Sequence, residues 1–261
     1  TYDKSNRIIR TILKPSEQSY LLRGLFWRRI AWPVFVVREL KQSRTHHMPR
    51  RDADRNMNHQ ISSIKNTTDV SDMIRLSGSV YMMGSDRHYP EEAPEHRVKV
   101  GSFLIDRTPV TNRQFKNFIK QTGYTTFAER LPDRKDYPGI LPDMMFAGSL
   151  VFTPPASSPH RHNWAQWWTL MKGANWRRPY GPKSNINTLD SHPVVHITFA
   201  DALAYAQWAG KDLPTEAEWE FAARGGLENA DFAWGNELTP GGKYLANTWQ
   251  GDFPHESLAL D

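Results

Sequence analysis

The chain has 261 residues, 39% hydrophobic and 12% aromatic, enough for one sizeable core or at most two small domains. Its 16 Gly and 18 Pro are dispersed without period, which excludes collagen-like and low-complexity architectures, and the absence of any cysteine excludes disulfides, zinc–thiolate sites and a cysteine nucleophile from these residues. The net charge of +5 is uneven: residues 1–60 hold 13 Lys/Arg against 5 Asp/Glu, a net of +8, and the remainder nets −3.

The N-terminal arm can engage nucleic acid or anionic lipid, but a solvated tail accounts for it more simply, and no nucleic acid is expected as a partner. Leu21 to Val37 is its most apolar stretch. Arg23, Arg28 and Arg29 interrupt it, so it falls short of the roughly 20 apolar residues of a membrane span, and its apolar run is too short for a signal peptide. Neither feature being evident, the expectation leans to the cytoplasm. Residues 1–70 show no sustained period apart from a short helical pattern around 18–30, and a domain is expected over 71–261.

Ile74 to Met83 reads as a strand with Gly78 and Gly84 as turn or bulge points, and Val98 to Ile105 alternates around Gly101 as a second strand or hairpin arm. Three helices are marked by their starts. Thr111 and Gln114 form a capping box, followed by Phe115, Phe118 and Ile119 on one face and Gly123 at the stop. Thr198 and Asp201 open a second helix with the stripe Ala202, Tyr205, Trp208 and Ala209. Thr215 and Glu218 open a third, which ends at Gly225-Gly226. Thr125 to Asp190 reads as a long irregular stretch, which in a compact domain points to function. Val194 to Phe199 reads as a short buried strand. The class is α+β, with short strands, few helices and a high loop content. Ten Trp suggest a broad aromatic core or an aromatic-lined groove.

Several residues invite a chemical reading and have a plainer one. His192 and His196 share a face on a strand but lie roughly 13 Å apart there, too far for a common metal. His160 and His162 fall in a Pro/Ser loop and read as solvated. Glu216, Glu218 and Glu220 resemble an acid–base cluster, yet their place at a helix start explains them through the capping box and the helix dipole, with Arg224 at the opposite end.

A series of runs stands in fixed order: Met83-Gly84-Ser85, Glu92-Ala93-Pro94, Pro109-Val110-Thr111-Asn112, Lys172-Gly173-Ala174-Asn175-Trp176-Arg177, His192-Pro193-Val194-Val195-His196, Leu213-Pro214-Thr215-Glu216-Ala217-Glu218-Trp219-Glu220, Ala222-Ala223-Arg224-Gly225-Gly226, Trp234-Gly235 and Ala246-Asn247-Thr248-Trp249-Gln250-Gly251. Together these resemble the formylglycine-generating enzyme, or sulfatase-modifying factor, family over about residues 72–261. The resemblance implies a C-type-lectin-like fold and a monomer that oxidises the cysteine of Cys-x-Pro-x-Arg in unfolded sulfatase polypeptides. The oxidation uses oxygen and a copper(I) ion held by two cysteines. Thiolates suit copper(I) because both are soft. The pair is expected beyond Asp261, so no catalytic residue is assigned in this chain. The resemblance also implies structural calcium, with the side-chain oxygen of Asn247 and the carbonyl of Thr248 as two ligands; calcium takes 6–8 oxygens, so this half-site is expected to bind weakly or not at all. Trp167 and Trp168 either line the peptide groove or belong to the core. Thr111 matches a substrate-side position, although its capping role explains it. The Trp pair and the Gly-Ala-Asn-Trp-Arg run look like the sulfatase-modifying branch, and the helical His-x-x-x-His-x-Glu motif of the iron-dependent branch is missing.

Two departures stand out. Asp212 occupies the position of a usual Arg, reversing the charge and removing a five-donor fork. Leu76-Ser77-Gly78 replaces a usual Pro-Gly-Gly. Three functions follow as expectations: part of a formylglycine-generating oxidase, inactive as given; a non-catalytic peptide- or glycan-binding module of the same fold; or a non-functional fragment. A core cut across exposes apolar surface at about 25 cal/mol per Å², so the isolated chain is expected to be poorly soluble or partly molten. A sharp cooperative transition in calorimetry would refute that expectation.

Overall fold

The structure, a computed structural model, describes residues 37–39, 72–153, 167–253 and 256–259. The remainder of the basic arm, the expected boundary at Ser71, and His160 and His162 lie outside the described residues.

Strands come first. β1 (Val37–Glu39), β2 (Met73–Leu76), β3 (Val80–Met83), β4 (His96–Lys99) and β5 (Phe103–Asp106) form two antiparallel units. One is a three-stranded sheet in the order β1-β5-β2; the other pairs β3 with β4, from Val80↔Lys99 to Met83↔His96. The two long strands read from sequence are each split in two. Gly78 explains the first break: a Cβ there would stand 2.1 Å from the Val100 carbonyl oxygen, so the chain passes too close for any side chain. The second break falls at Gly101-Ser102, between β4 and β5. β1 lies within the segment read as a tail, and it adds a strand to the outer side of β5.

The three helices are α1 (Asn112–Thr122), α2 (Phe199–Trp208) and α3 (Glu216–Arg224), each opened by the capping box expected of it. Reciprocal caps satisfy the first-turn N–H groups that a helix leaves unpaired. Gly123 and Gly225 close α1 and α3 with left-handed backbone. The apolar faces of α1 and α2 enclose Phe115, Phe118, Trp176, Tyr205 and Val194, with ring pairs such as Phe115–Trp176 at 5.2 Å and Phe118–Tyr205 at 5.6 Å, both edge-to-face. A second cluster sets Tyr81, Val100, Phe103 and Ile105 against Ala217, Phe221 and Ala222 of α3.

Two sequence expectations are corrected. The stretch 125–190 is not irregular throughout: it contains β6 (Gly148–Phe152) and β7 (Trp168–Lys172), an antiparallel pair whose Gly, Ser and Trp content obscures the strand period. Val194 to Phe199 is not a strand. Its surroundings provide one bridge, Thr111↔Pro193, and the bond from Val194 N–H to the Val110 carbonyl at 2.9 Å. His196 then turns left-handed at φ 58°, Thr198 becomes the N-cap of α2, and Phe199 is 74% exposed. The capping box overrides the apolar run.

Phe118 is fully buried against Phe115, Tyr124, Tyr205 and Trp208. Phe118→Ala is expected to cost about 3–5 kcal/mol in denaturant unfolding, whereas truncation of the 70%-exposed Leu131 is expected to be nearly neutral.

Candidate functional site

The β6–β7 pair carries an aromatic wall. Phe152 and Trp168 stand opposite in register, with rings 5.8 Å apart and edge-to-face. Phe253 packs on Phe152 at 5.9 Å and on Trp167 at 4.9 Å, and Trp249 meets Phe253 at 5.1 Å. The loop bearing Trp249 and Phe253 is closed on itself, since Trp249 Nε1–H donates to the Glu256 carbonyl at 2.8 Å and Leu258 N–H to that of Gln250 at 2.8 Å. The sequence left Trp167 and Trp168 open between groove and core, and the fold separates them. Trp167 is 5% exposed and packed inward, while Trp168 is only partly buried.

Near the other end of β6, against Ser149, sits His196, half-buried in its left-handed turn. Its Nε2 faces the Pro179 carbonyl at 2.8 Å and its Nδ1 the Ser149 hydroxyl at 2.8 Å. A carbonyl only accepts, so Nε2 carries the proton and Nδ1 accepts from Ser149. The imidazole thus clasps β6 to the loop before α2, and burial holds its pKa below the usual 6.5. Sequence spacing missed this role, because it treated His196 as a strand residue paired with the exposed His192.

A polar cleft of about 190 Å³ opens at Met83-Gly84-Ser85 and is lined by Glu92, Glu216, Glu220, Arg224 and Asp231. Glu220 Oε1 accepts from Gly84 N–H at 2.9 Å and from Arg224 Nη2 at 2.7 Å, and Arg224 donates onward to the Gly84 carbonyl at 3.1 Å. Gly84 needs this company: its φ is 84°, and a Cβ would lie 2.2 Å from the Glu92 carbonyl oxygen. Glu218 accepts from Thr215 N–H and hydroxyl, both at 2.8 Å, as the capping reading expects. Of the Glu trio, Glu218 is therefore a helix cap and Glu220 a loop clip, while Glu216 lines the cleft.

Thr111 caps α1, accepting from Gln114 N–H at 3.3 Å and donating to Gln114 Oε1 at 2.9 Å. Asp212 is exposed and its carboxylate accepts from Leu213 N–H at 2.9 Å; the neighbouring ion pair is made instead by Lys211 with Asp106 at 2.6 Å. Asn247 is exposed, and the Thr248 carbonyl already accepts from Gln250 Nε2 at 2.5 Å. Two oxygens do not meet calcium's coordination, and among the described residues no group of three or more His, Cys, Asp or Glu could hold a metal. A thiolate copper site cannot form from a chain without cysteine. The chain therefore lacks a thiolate for copper, and of the oxygens calcium takes, Asn247 and Thr248 offer at most two.

The His196 clasp makes stability pH-dependent in a definite direction. The unfolded chain takes up a proton near pH 6.5 and the folded one only below it, so the contribution is present above 6.5 and lost as pH falls through the lowered folded value. Thermal melts between pH 8 and 5 are expected to show a steeper decline for the native chain than for His196→Asn, which tolerates the left-handed turn. Parallel curves would remove His196 from this role.

Among the described residues, no helix is long and apolar enough to cross a membrane. The sulfatase-modifying factor enzyme 1-like domain family matches residues 59–260. The chain is 48% identical over 188 residues to the formylglycine-generating enzyme of Mycobacterium tuberculosis, covering 72% of this chain and 62% of that protein. It is 43% identical over 195 residues to the formylglycine-generating enzyme of Mus musculus, covering 74% and 50%. It is also 39% identical over 199 residues to the inactive Cα-formylglycine-generating enzyme 2 of Bos taurus, covering 72% and 60%. The chain thus spans about half to three fifths of the length of these relatives. With the domain matched over 59–260 and such identities over nearly three quarters of its length, the chain belongs to the formylglycine-generating enzyme (sulfatase-modifying factor) family.

Proposed function

We propose that this chain is part of a formylglycine-generating oxidase that converts the cysteine of Cys-x-Pro-x-Arg in unfolded sulfatase polypeptides to formylglycine, and that these 261 residues alone do not perform the oxidation. The observation that carries the second half is the absence of cysteine: no thiolate is available to hold copper(I) or to meet the substrate thiol. The relatives' names carry the first half.

On this reading the chain supplies the substrate wall. Trp168, partly buried beside Phe152, offers an aromatic face to an extended peptide, and Trp167 supports that face from within. Thr111, at the start of α1, contributes to the substrate side beyond its cap. Asn247 and Thr248 contribute two oxygens to a calcium site whose other ligands lie elsewhere, so calcium is held weakly here. The partner is an unfolded sulfatase segment and the protein acts as a monomer.

A second reading has its own support. A non-catalytic peptide- or glycan-binding module of the same fold fits a cysteine-free chain that is 39% and 38% identical to relatives named as inactive.

The test has two parts. Incubating the chain with copper(I), oxygen, a thiol reductant and a Cys-x-Pro-x-Arg peptide is expected to leave the cysteine unoxidised by mass spectrometry; copper-dependent formylglycine would overturn the inactivity. Reading the coding frame on both sides and repeating the assay on its full product decides the rest. Two cysteines and turnover support the oxidase, and peptide binding without turnover supports the module.

A further inference from the structure

The strand that completes the three-stranded sheet comes from outside the family domain. The family match covers residues 59–260, whereas β1 is Val37–Glu39. β5 has the same three residues in register with both neighbours: Ile105 is opposite Val37 and Ile74, Leu104 is opposite Arg38 and Arg75, and Phe103 is opposite Glu39 and Leu76. A central antiparallel strand turns the N–H and C=O groups of successive residues alternately to one side and the other. One set on β5 is therefore met by β2 and the other by β1. β5 itself is fixed by contacts within the matched domain. Phe103 and Ile105 are 1% and 8% exposed in the cluster with Tyr81 and Val100, the Phe103 ring lies 6.4 Å from that of Phe221 on α3, and Asp106 holds Lys211 at 2.6 Å. The matched domain thus presents a fixed row of backbone donors and acceptors, and the arm supplies what fills it.

We propose that the outer edge of β5 is a strand-acceptor site and that the arm segment Val37–Glu39 is its exchangeable occupant, held in cis and replaceable by an added peptide of the same sequence. Two observations fix the occupant. It is the segment seated there, in antiparallel register over all three of its residues. Its charge also suits the body that receives it: residues 1–60 carry a net +8 and the remainder −3, so the arm is drawn to the domain. Exchange follows from how β1 is attached. Residues 40–102 separate it from β5 in the sequence, so no tight hairpin turn ties the two strands together. A ladder of three residues offers few hydrogen bonds, each modest once exchange with water is counted, so the pairing is reversible. This is strand addition with the arm as an internal ligand. A bare edge is what strands of other chains pair with, so the arm decides when β5 is open to another extended segment. The site lies on a different sheet from the aromatic wall and does not depend on the sulfatase reading.

The test is amide hydrogen exchange by mass spectrometry on the full 261-residue chain, read at β5 (Phe103–Asp106), with α1 (Asn112–Thr122) as a control for the fold. A double variant, Val37→Pro with Arg38→Pro, removes a ladder N–H whichever of the two alternating positions bears it. Its β5 amides are expected to exchange about tenfold faster on the side that β1 leaves, with α1 unchanged. A peptide of the sequence of residues 33–42, added at about millimolar concentration to match the effective concentration of a tethered segment, is expected to restore the native rate, and a scrambled peptide is not. In the native chain, the same peptide bearing a terminal photo-crosslinker is expected to label β5 or its flanking residues, and the scrambled one is not. Equal exchange in native and variant chains, or a peptide that restores no protection, overturns the acceptor site. Loss of α1 protection that the peptide does not reverse overturns the exchangeable occupant, since β1 is then part of the core fold. Absence of labelling in the native chain overturns it independently of how the variant folds. Native protection that rises with protein concentration assigns the strand to a second copy and overturns the assignment in cis.

Discussion

The carboxylate of Asp201, 1% exposed, holds three segments in place. Its oxygens accept from Thr198 N–H at 2.9 Å and hydroxyl at 2.8 Å, from Tyr124 Oη–H at 2.9 Å, and from Phe127 N–H at 3.1 Å. A buried charge is tolerable only when so satisfied, and one left without donors costs more than its bonds contribute. The start of α2, the chain leaving α1 and the turn that faces β6 are therefore fixed together. Burial, and then the charge of Asp201, push the Tyr124 hydroxyl up to about 12, so that it remains a donor to the carboxylate. The aromatic core of Phe115, Phe118, Trp176 and Tyr205 packs alongside, on helices whose relative position this carboxylate helps to set.

The same device recurs wherever regular structure is short. Loops bring backbone polar groups inside, and each needs a partner. Glu129 receives Thr126 N–H and hydroxyl and faces Trp176 Nε1 at 3.3 Å; Arg177, 4.2 Å over the Trp176 ring, reaches its other oxygen. Glu220 and Arg224 clip Gly84, and His196 clasps Ser149 to Pro179. A loop-rich domain is thus organised by side chains that each hold two or three backbone segments. Many residues in the family runs act in this way, which separates their structural role from any chemistry.

That separation bears on function. The chain carries the framework and the aromatic wall, but no thiolate. A cysteine-free chain of this family thus keeps the fold while having no thiolate with which to hold copper(I).

The helices were legible in the sequence because a capping box is a local event: Thr111, Thr198 and Thr215 each find their partner three residues on. Gly78 and the alternation of Val98 to Ile105 located the first strands, though not the turns that divide them. β6 and β7 were not legible, because Gly148, Ser149 and Trp168 mask the period of two and the pairing is stabilised across a long connection. The status of Trp167 and Trp168, adjacent in sequence and unequal in burial, depended on where Phe253 came to rest. His196 and Asp201 found their partners 17 to 77 positions away. By itself, then, the sequence determined the family, the helix starts and the lack of a copper-binding thiolate, all readable from residue identity and short spacing. Tertiary structure alone decided which polar side chains are clasps and which of Trp167 and Trp168 is packed inward, because those outcomes depend on contacts between segments distant along the chain.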